Sequence, residues 1–344
     1  MKIALALGMS PQDAQFARQL GLRYVVSNLP ANPVGYLELD DLLRAREFWA
    51  KHDLSFDVIE NLPVPHYQKA MFGLPGRDEE LDNVAKTIRN MGKAGISVLQ
   101  YQWMLLGGLR TEYSPTGRGG ARVSRFELEV AQRSPVAAMD WRRNPDALIH
   151  APDRELSNEQ VWDNLTYFLQ RLVPVAEEAG VKLAAHPDDA PIPSFMGVAR
   201  ILTSLDALQR LIDTVPSPNN GLGFCQGTIA TMAGVDMIEA IHRFGRQNKI
   251  FFAHFRNPRG QVPDFDEVFP DEGDTDMLAA VQAYREVGFD GVIRVDHAPG
   301  MVDDPRAERT FAFQVGYFKG LVDVAEMLDA AKGIPAQNSD QGGN

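Results

Sequence analysis

The chain has 344 residues, of which 44% are hydrophobic and 23% are charged, and its formal net charge is −12 at pH 7. This composition is ordinary for a globular protein, and the acidic balance disfavours nucleic acid as a partner because like charges repel. No apolar stretch approaches the roughly 20 residues that span a bilayer, so we expect no membrane partner either. The single cysteine, Cys225, excludes an intramolecular disulfide and fits a cytoplasmic protein.

Short apolar runs alternate along the chain with amphipathic segments. The first run is too short for the apolar core of an export signal, so we interpret it as a buried strand. Eight runs predict strands, at 3–7, 24–27, 56–60, 97–101, 182–186, 221–225, 249–254 and 291–296. Helices are predicted between and after them, at 11–20, 39–52, 78–94, 159–179, 204–214, 235–244, 276–287 and 309–332.

The repeated strand–helix rhythm predicts an α/β fold, a (β/α)8 TIM barrel, with an open doubly wound sheet as the alternative. Barrels of this size fold as one unit, so we predict a single catalytic domain over residues 1–332. The rhythm breaks after strand four. Residues 103–158 are too long for an ordinary connection, which predicts a functional insertion or lid with a helix near 125–132. Residues 333–344 are polar and glycine-rich, and we expect a frayed tail.

Four successive strands in the second half of the chain end on a residue that can bind a metal. These residues are His186, Cys225, His254 and Asp296. The carboxyl ends of all barrel strands meet at one face, so residues far apart in sequence converge there. Two imidazoles, a thiolate and a carboxylate suit Mn, Fe, Co, Ni or Zn, and not Mg or Ca. One strand-end histidine or buried cysteine is usually structural, but four in succession predict a metal site.

The motifs around these residues resemble those of one known family. From about Tyr101 to Leu321 the chain is similar to the mannonate dehydratases, within the xylose-isomerase-like barrels, over AAHPDDAP, GFCQGT, FFAHFR, GDTDM, VDHAPGM and GYFKGL. The resemblance implies a Mn²⁺-type ion held by the four residues above. It also implies that the next residue after Asp296, His297, is the catalytic acid/base. The implied activity is a hydro-lyase of carbohydrate metabolism that converts a sugar acid such as D-mannonate to a 2-keto-3-deoxy acid.

Elementary chemistry agrees with these implied roles. Dehydration removes a proton next to a carboxylate and expels a hydroxyl, and both steps build negative charge. A cation can stabilise that charge, and an imidazole can move the proton near neutral pH. A metal-dependent sugar isomerase or epimerase on the same barrel is the alternative, although such enzymes typically use several carboxylate ligands. A binding protein that has lost catalysis is a third hypothesis.

Several positions depart from the family pattern. The paired histidines after strand two are replaced by SNLPANPVGY, and the first strand lacks the family's tryptophan. Ala312 stands at the position of the family's catalytic tyrosine, and Tyr317 is nearby but out of register. Val295 replaces the proline before the metal-binding aspartate. We therefore interpret the chain as a divergent member that keeps the metal residues but not all of the proton-transfer residues.

Five more residues are candidates for substrate contact. Arg256 could clamp a carboxylate through two hydrogen bonds, with a barrel ion pair as the alternative. Asp188 could orient a metal-binding side chain through a hydrogen bond without binding the metal itself, with helix capping or solvation as the alternative. Arg110 and Arg125 could belong to a lid over an anionic substrate, or to a solvated loop, and Glu60 could reach the pocket from strand three. The expected partners are a small-molecule sugar acid and further copies of the chain, as a dimer or tetramer.

Overall fold

The computed structural model describes residues 1–139, 155–297 and 299–333. The predicted tail and the middle of the predicted insertion, residues 334–344 and 140–154, lie outside this description. Numbered in chain order, the described strands are β1 Lys2–Ala6, β2 Tyr24–Ser27, β3 Ser55–Glu60, β4 Val98–Gln102, β5 Glu112–Ser114, β6 Val123–Glu127, β7 Lys182–His186, β8 Ser194–Phe195, β9 Val198–Ala199, β10 Asn220–Cys225, β11 Ile250–Phe255, β12 Arg259–Gln261, β13 Asp264–Asp266 and β14 Val292–Val295.

The described helices follow the predicted amphipathic segments closely, with additional short helices in the loops. The α-helices are α1 Pro11–Gln19, α2 Leu39–Ala50, α3 Gln68–Phe72, α4 Arg77–Ala94, α5 Leu128–Arg133, α6 Pro135–Ala138, α7 Asn158–Ala179, α8 Leu205–Thr214, α9 Gln226–Ala230, α10 Met237–Gly245, α11 Met277–Glu286 and α12 Glu308–Ala331. Single 3₁₀ turns occupy Val64–His66 and Arg118–Gly120. No helix among the described residues has the length and apolar character of a membrane span.

Local signals in the sequence explain where several of these helices begin and end. Ser10 accepts a hydrogen bond from the Asp13 backbone, so it caps α1, and Pro11 occupies the first helical position. Ser157 and Gln160 form a reciprocal capping box at the start of α7. That helix ends at Gly180, whose φ of 68° is a left-handed conformation that glycine adopts without steric cost.

Eight parallel strands of the described chain close into a barrel. The neighbours run β1-β14-β11-β10-β7-β4-β3-β2, and β2 pairs again with β1. This closure confirms the predicted (β/α)8 fold and excludes the open sheet, in which the two edge strands would have one neighbour each. The register aligns Gln102 of β4 with His186 of β7, and Cys225 of β10 with His254 of β11. Residues at these strand ends are therefore neighbours in space.

The barrel interior is built in layers along the strands. A lower apolar layer includes Val58, Ala184, Phe252 and Val292. Successive side chains of a strand point to opposite faces, so the residue two positions further on also points inward. On these four strands that residue is polar and buried: Glu60, His186, His254 and Arg294. An apolar floor thus supports a polar layer near the carboxyl ends of the strands.

A small antiparallel sheet lies outside the barrel and joins two loops. Its order is β12-β13-β6-β5, so the segment after β4 pairs with the segment after β11. The predicted helix near 125–132 is therefore wrong at its start, because residues 123–127 form β6 and helix α5 begins only at Leu128. The local sequence pattern favours a helix at residues 125–127. These residues form a strand because β6 pairs with β13, which is distant in sequence.

Candidate active site

A cavity of about 600 Å³ opens at the carboxyl ends of β1 to β4 and β14. Its polar lining consists of Asn28, Glu60, Asn61, Gln102, Arg294, Asp296 and His297. Apolar side chains from the loops after β2 and β3, and Phe311 from α12, form the rest of the wall. The position agrees with the face at which TIM-barrel enzymes bind their substrates.

Three of the four predicted metal ligands form one compact buried group. His186, Cys225 and His254 each offer a donor atom, and these atoms lie within 4.8 Å of one another. His186 Nδ1 is 2.7 Å from the Pro187 carbonyl oxygen. Because a carbonyl can only accept a hydrogen bond, Nδ1 carries the proton. The lone pair of Nε2 is therefore free to bind a metal. Both ring nitrogens of His254 are buried, and their contacts with Glu60 and Asp296, at 3.1 and 3.5 Å, lack hydrogen-bond geometry.

The charges around this ligand trio (His186, Cys225 and His254) favour a thiolate at its centre. Burial acts to raise the pKa of Cys225, but Arg256 and then His186 lower it well below its usual value. Arg256 Nη2 lies 3.2 Å from the sulfur, and the Thr228 hydroxyl lies 3.1 Å from it. Burial lowers the pKa of His254, but Glu60 outweighs it and raises that pKa to about 9. A bound cation would displace that proton, because a metal-binding histidine is neutral.

The fourth predicted ligand, Asp296, lies beside the ligand trio and also lines the cavity. One of its oxygens is 3.5 Å from His254 Nδ1, and the other is 2.7 Å from Arg294 Nη2. Burial would raise the pKa of Asp296, but Arg294 and then His297 lower it well below its usual value. The structure therefore places an ionised carboxylate between the ligand trio and the cavity, with Arg294 as its ion-pair partner.

Glu60 does reach the cavity, and it bridges the polar layer. Arg294 Nη2 donates to Glu60 Oε1 over 2.5 Å, and His254 Nε2 lies 3.1 Å from the same oxygen. Burial acts to raise the pKa of Glu60, but Arg294 and His254 lower it to about 2. Arg294 is a site residue that was not predicted from the sequence, although an arginine within the apolar run of a buried strand, two residues past Val292, is a usable signal.

Arg256 lies deeper than a substrate clamp requires. Its side chain is 3% exposed, and the described cavity lining does not include it. Its guanidinium forms an ion pair with Glu267, donates to Asp189 Oδ2 over 2.8 Å, and has Nε 3.3 Å from Asp296. This geometry is that of the barrel ion pair, which was the alternative interpretation.

The other predicted contacts also lie away from the described cavity lining. Arg110 binds both oxygens of Asp189, over 2.7 and 2.9 Å, and forms an ion pair with Glu267. Asp188 accepts from the Leu202 backbone over 2.8 Å and lies 3.5 Å from Arg200.

Arg125 is on the antiparallel sheet, where it forms an ion pair with Glu127 over 2.7 Å. These contacts are with protein groups around the site. None of the three residues, Asp188, Arg110 and Arg125, is in the described lining of the cavity.

His297 lies on the cavity wall directly after Asp296, and contacts hold both ends of the residue. Its Nδ1 is 3.1 Å from Arg256 Nη1 and 3.2 Å from Glu267 Oε1, and its Nε2 is 3.7 Å from Asp296. Its carbonyl accepts a hydrogen bond from Gln314 Nε2 over 3.1 Å. The backbone φ is 41°, a left-handed conformation that few residues other than glycine adopt.

The residue at the position of the family's catalytic tyrosine is Ala312, which has no ionisable group. Phe311 contributes to the cavity wall, and its neighbour Ala312 is half-buried and has no proton to transfer. Tyr317 stacks on Phe313 at 6.3 Å between ring centroids and is not part of the described cavity lining. Among the described lining residues, His297 is therefore the group best suited to proton transfer near neutral pH.

Comparison with known proteins identifies the family. The family model described as D-mannonate dehydratase (UxuA) matches residues 10–337. A mannonate dehydratase of Endomicrobium trichonymphae is 28% identical, over 94% of this chain and 95% of that protein. Mannonate dehydratase 2 of Halalkalibacterium halodurans is 32% identical, over 82% of this chain and 86% of that protein.

Solved structures agree with this assignment. The crystal structure of mannonate dehydratase from Streptococcus suis serotype 2 superposes with a TM-score of 0.86 at 28% identity, covering 98% of this chain and 97% of that one. A D-tagatose 3-epimerase-like protein has a TM-score of 0.60 at 15% identity, covering 95% of this chain and 99% of that one, which shows a shared fold alone. With its closed barrel, its strand-end histidines and cysteine, and these matches, the chain belongs to the D-mannonate dehydratase family.

Proposed function

We propose that the protein is a metal-dependent hydro-lyase that removes water from a sugar acid such as D-mannonate and gives a 2-keto-3-deoxy acid. One observation carries this proposal. The buried ligand trio lies next to a cavity wall formed by Asp296 and His297, so a metal site and a proton-transfer group can act on one substrate. Membership of the family supports the choice of reaction. The single buried cysteine supports a reducing, cytoplasmic setting.

The chemistry of the donor set fits a divalent transition metal, and we propose Mn²⁺. His186 Nε2, the Cys225 thiolate and His254 would hold the ion, and Asp296 would complete the set. The fit is supported by the two buried nitrogens of His254, whose contacts among the described residues lack hydrogen-bond geometry. When bound, such an ion supplies positive charge that stabilises negative charge on substrate oxygens.

The chain's own residues supply binding and proton transfer. His297 Nε2 takes the proton from the carbon next to the carboxylate or gives one to the departing hydroxyl, and loss of water leaves an enol that becomes the keto acid. Arg294 keeps Glu60 and Asp296 ionised at the floor of the cavity, through ion pairs of 2.5 and 2.7 Å. The loops after β2 and β3 line the cavity with apolar side chains.

The isomerase or epimerase alternative has weaker support. Cys225 lies at the centre of the donor set, where enzymes of that type use several carboxylates. The epimerase-like structure shares the barrel at 15% identity, which bears on the fold and not on the reaction.

The test is a product assay on purified protein reconstituted with Mn²⁺ and incubated with D-mannonate and a panel of related aldonates. A dehydratase gives a product lighter than the substrate by one water. An isomer of equal mass would favour the alternative. Metal retention without turnover on any aldonate would favour the third hypothesis of a binding protein. His297→Asn serves as the matched control, because it removes the proton-transfer group and leaves the four proposed ligands in place.

A further inference from the structure

Glu267 is a buried carboxylate that the proposed chemistry has not used. It follows β13 directly, its side chain is 4% exposed, and the described cavity lining does not include it. Its Oε1 forms ion pairs with Arg110 and Arg256 and lies 3.2 Å from His297 Nδ1. A carboxylate is seldom buried without a partner, and this one has three.

The charges around Glu267 balance without a substrate. Arg110 and Arg256 carry two positive charges, and Asp189 and Glu267 carry two negative charges in direct contact with them. This four-residue ion cluster therefore has no unpaired cation to attract a sugar-acid carboxylate. The cluster contacts the cavity wall at two residues, since Arg256 Nε is 3.3 Å from Asp296 and the Nδ1 edge of the His297 ring faces Glu267. Of these two residues, His297 is the proposed proton-transfer group.

The hydrogen-bonding capacity of an imidazole decides which contact of Nδ1 matters. A histidine that transfers a proton at Nε2, in either direction, passes through the form in which both nitrogens carry hydrogen. In that form Nδ1–H needs an acceptor. Arg256 Nη1, which is 3.1 Å away, can only donate and would pair with an Nδ1 that carries no hydrogen. Glu267 Oε1, which is 3.2 Å away, can accept from Nδ1–H.

We propose that Glu267 is a positioning residue that accepts a hydrogen bond from His297 Nδ1 and so presents Nε2 to the substrate. The proposal rests on the proposed function for its catalytic consequence, but the tautomer of His297 can be measured without substrate. Arg110 and Arg256 hold the carboxylate in place, and Gln314 holds the His297 carbonyl at the other end of the residue. The backbone of His297 is in the left-handed region, with a φ of 41°.

The test uses the full-length protein and five variants, one of which is His297→Asn. Glu267→Gln removes the charge at nearly constant size, and Glu267→Asp keeps the charge on a shorter side chain. Asp264→Asn is the matched control, because Asp264 is an exposed carboxylate on the neighbouring strand β13. The fourth protein combines Glu267→Gln with His297→Asn.

The kinetic result expected for Glu267→Gln is a fall in kcat of about 10²-fold with little change in KM, the scale of a general acid–base contribution. Glu267→Asp should recover part of that loss, and Asp264→Asn should match the parent. In the His297→Asn background, Glu267→Gln should cost less than about two-fold, because the two residues act as a unit. A full additional loss in that background, or a change in KM alone, would overturn the proposal.

A second measurement is independent of turnover. Nitrogen-15 NMR of histidine-labelled, Zn²⁺-loaded protein reports which ring nitrogen of His297 carries the proton, with His297→Asn assigning the signals. The parent should show Nδ1–H, and Glu267→Gln should shift the ring towards Nε2–H. An Nε2–H ring in the parent would overturn the proposal even if the enzyme is an active dehydratase. Nδ1–H in a parent inactive on every aldonate would support the contact and count against the proposed reaction.

Discussion

Arg294 pairs with both Glu60 and Asp296 in the polar layer, so its removal tests the charge balance of the site. Replacing it by methionine, which has similar length and no charge, leaves the two buried carboxylates with His254 as their shared partner. Breaking a buried ion pair by removing one partner costs about 3–5 kcal/mol. A protein of this size has an unfolding entropy near 0.7 kcal/mol per kelvin, so the expected fall in Tm is about 4–7 °C.

The assay is thermal unfolding at pH 7 after chelation of metals, because a bound cation would offset the lost charge. Arg44→Met is the control, since Arg44 forms an exposed ion pair with Asp41, and such pairs contribute about 0–1 kcal/mol. Adding Glu60→Gln to Arg294→Met should recover part of the loss, because one of the two carboxylates that lost Arg294 is then uncharged. If Arg294→Met shifts Tm no more than Arg44→Met, the charge balance of the polar layer has been misjudged.

Three further predictions concern the ligand trio and the ion cluster. Cys225→Ser should lose metal on dialysis, because a neutral hydroxyl replaces a soft thiolate, and equal metal content in both proteins would count against ligation. His297→Asn should keep its metal and lose turnover by about 10²-fold or more, and full activity would remove His297 from the mechanism. Burial raises the pKa of Glu267, but Arg256 and His297 lower it below its usual value. Its contribution to stability is therefore present at pH 7 and lost as pH falls below about 4, so the stability gap between parent and Glu267→Gln should narrow in acid.

The parts of the structure that depend on short-range pattern could be predicted from the sequence. Each barrel strand is a short apolar run, and the barrel brings strand ends together whatever their separation. That rule placed His186, Cys225 and His254 in one group, and it placed Asp296 next to them.

The rest depended on pairings between distant segments. Nothing local in residues 123–127 indicates the partner strand β13, so the segment was interpreted as helix. The same pairing brings Glu267, which follows β13, next to His297. The sequence around this loop glutamate does not indicate that contact. Arg256 was a reasonable clamp by position, but two of the three carboxylates that pair with it, Asp189 and Glu267, come from other loops, after β7 and after β13.

The antiparallel sheet also has a consequence for the order of folding. Hairpins β5–β6 and β12–β13 are each local, but they join only across the intervening strands β7, β10 and β11. The contact between Arg110 and Glu267 closes a separation of 157 residues, and contacts of such range form late because chain entropy opposes them. Closure of the barrel between β1 and β14 spans a still larger separation. On refolding from denaturant, the circular dichroism of the local helices should therefore return before activity does.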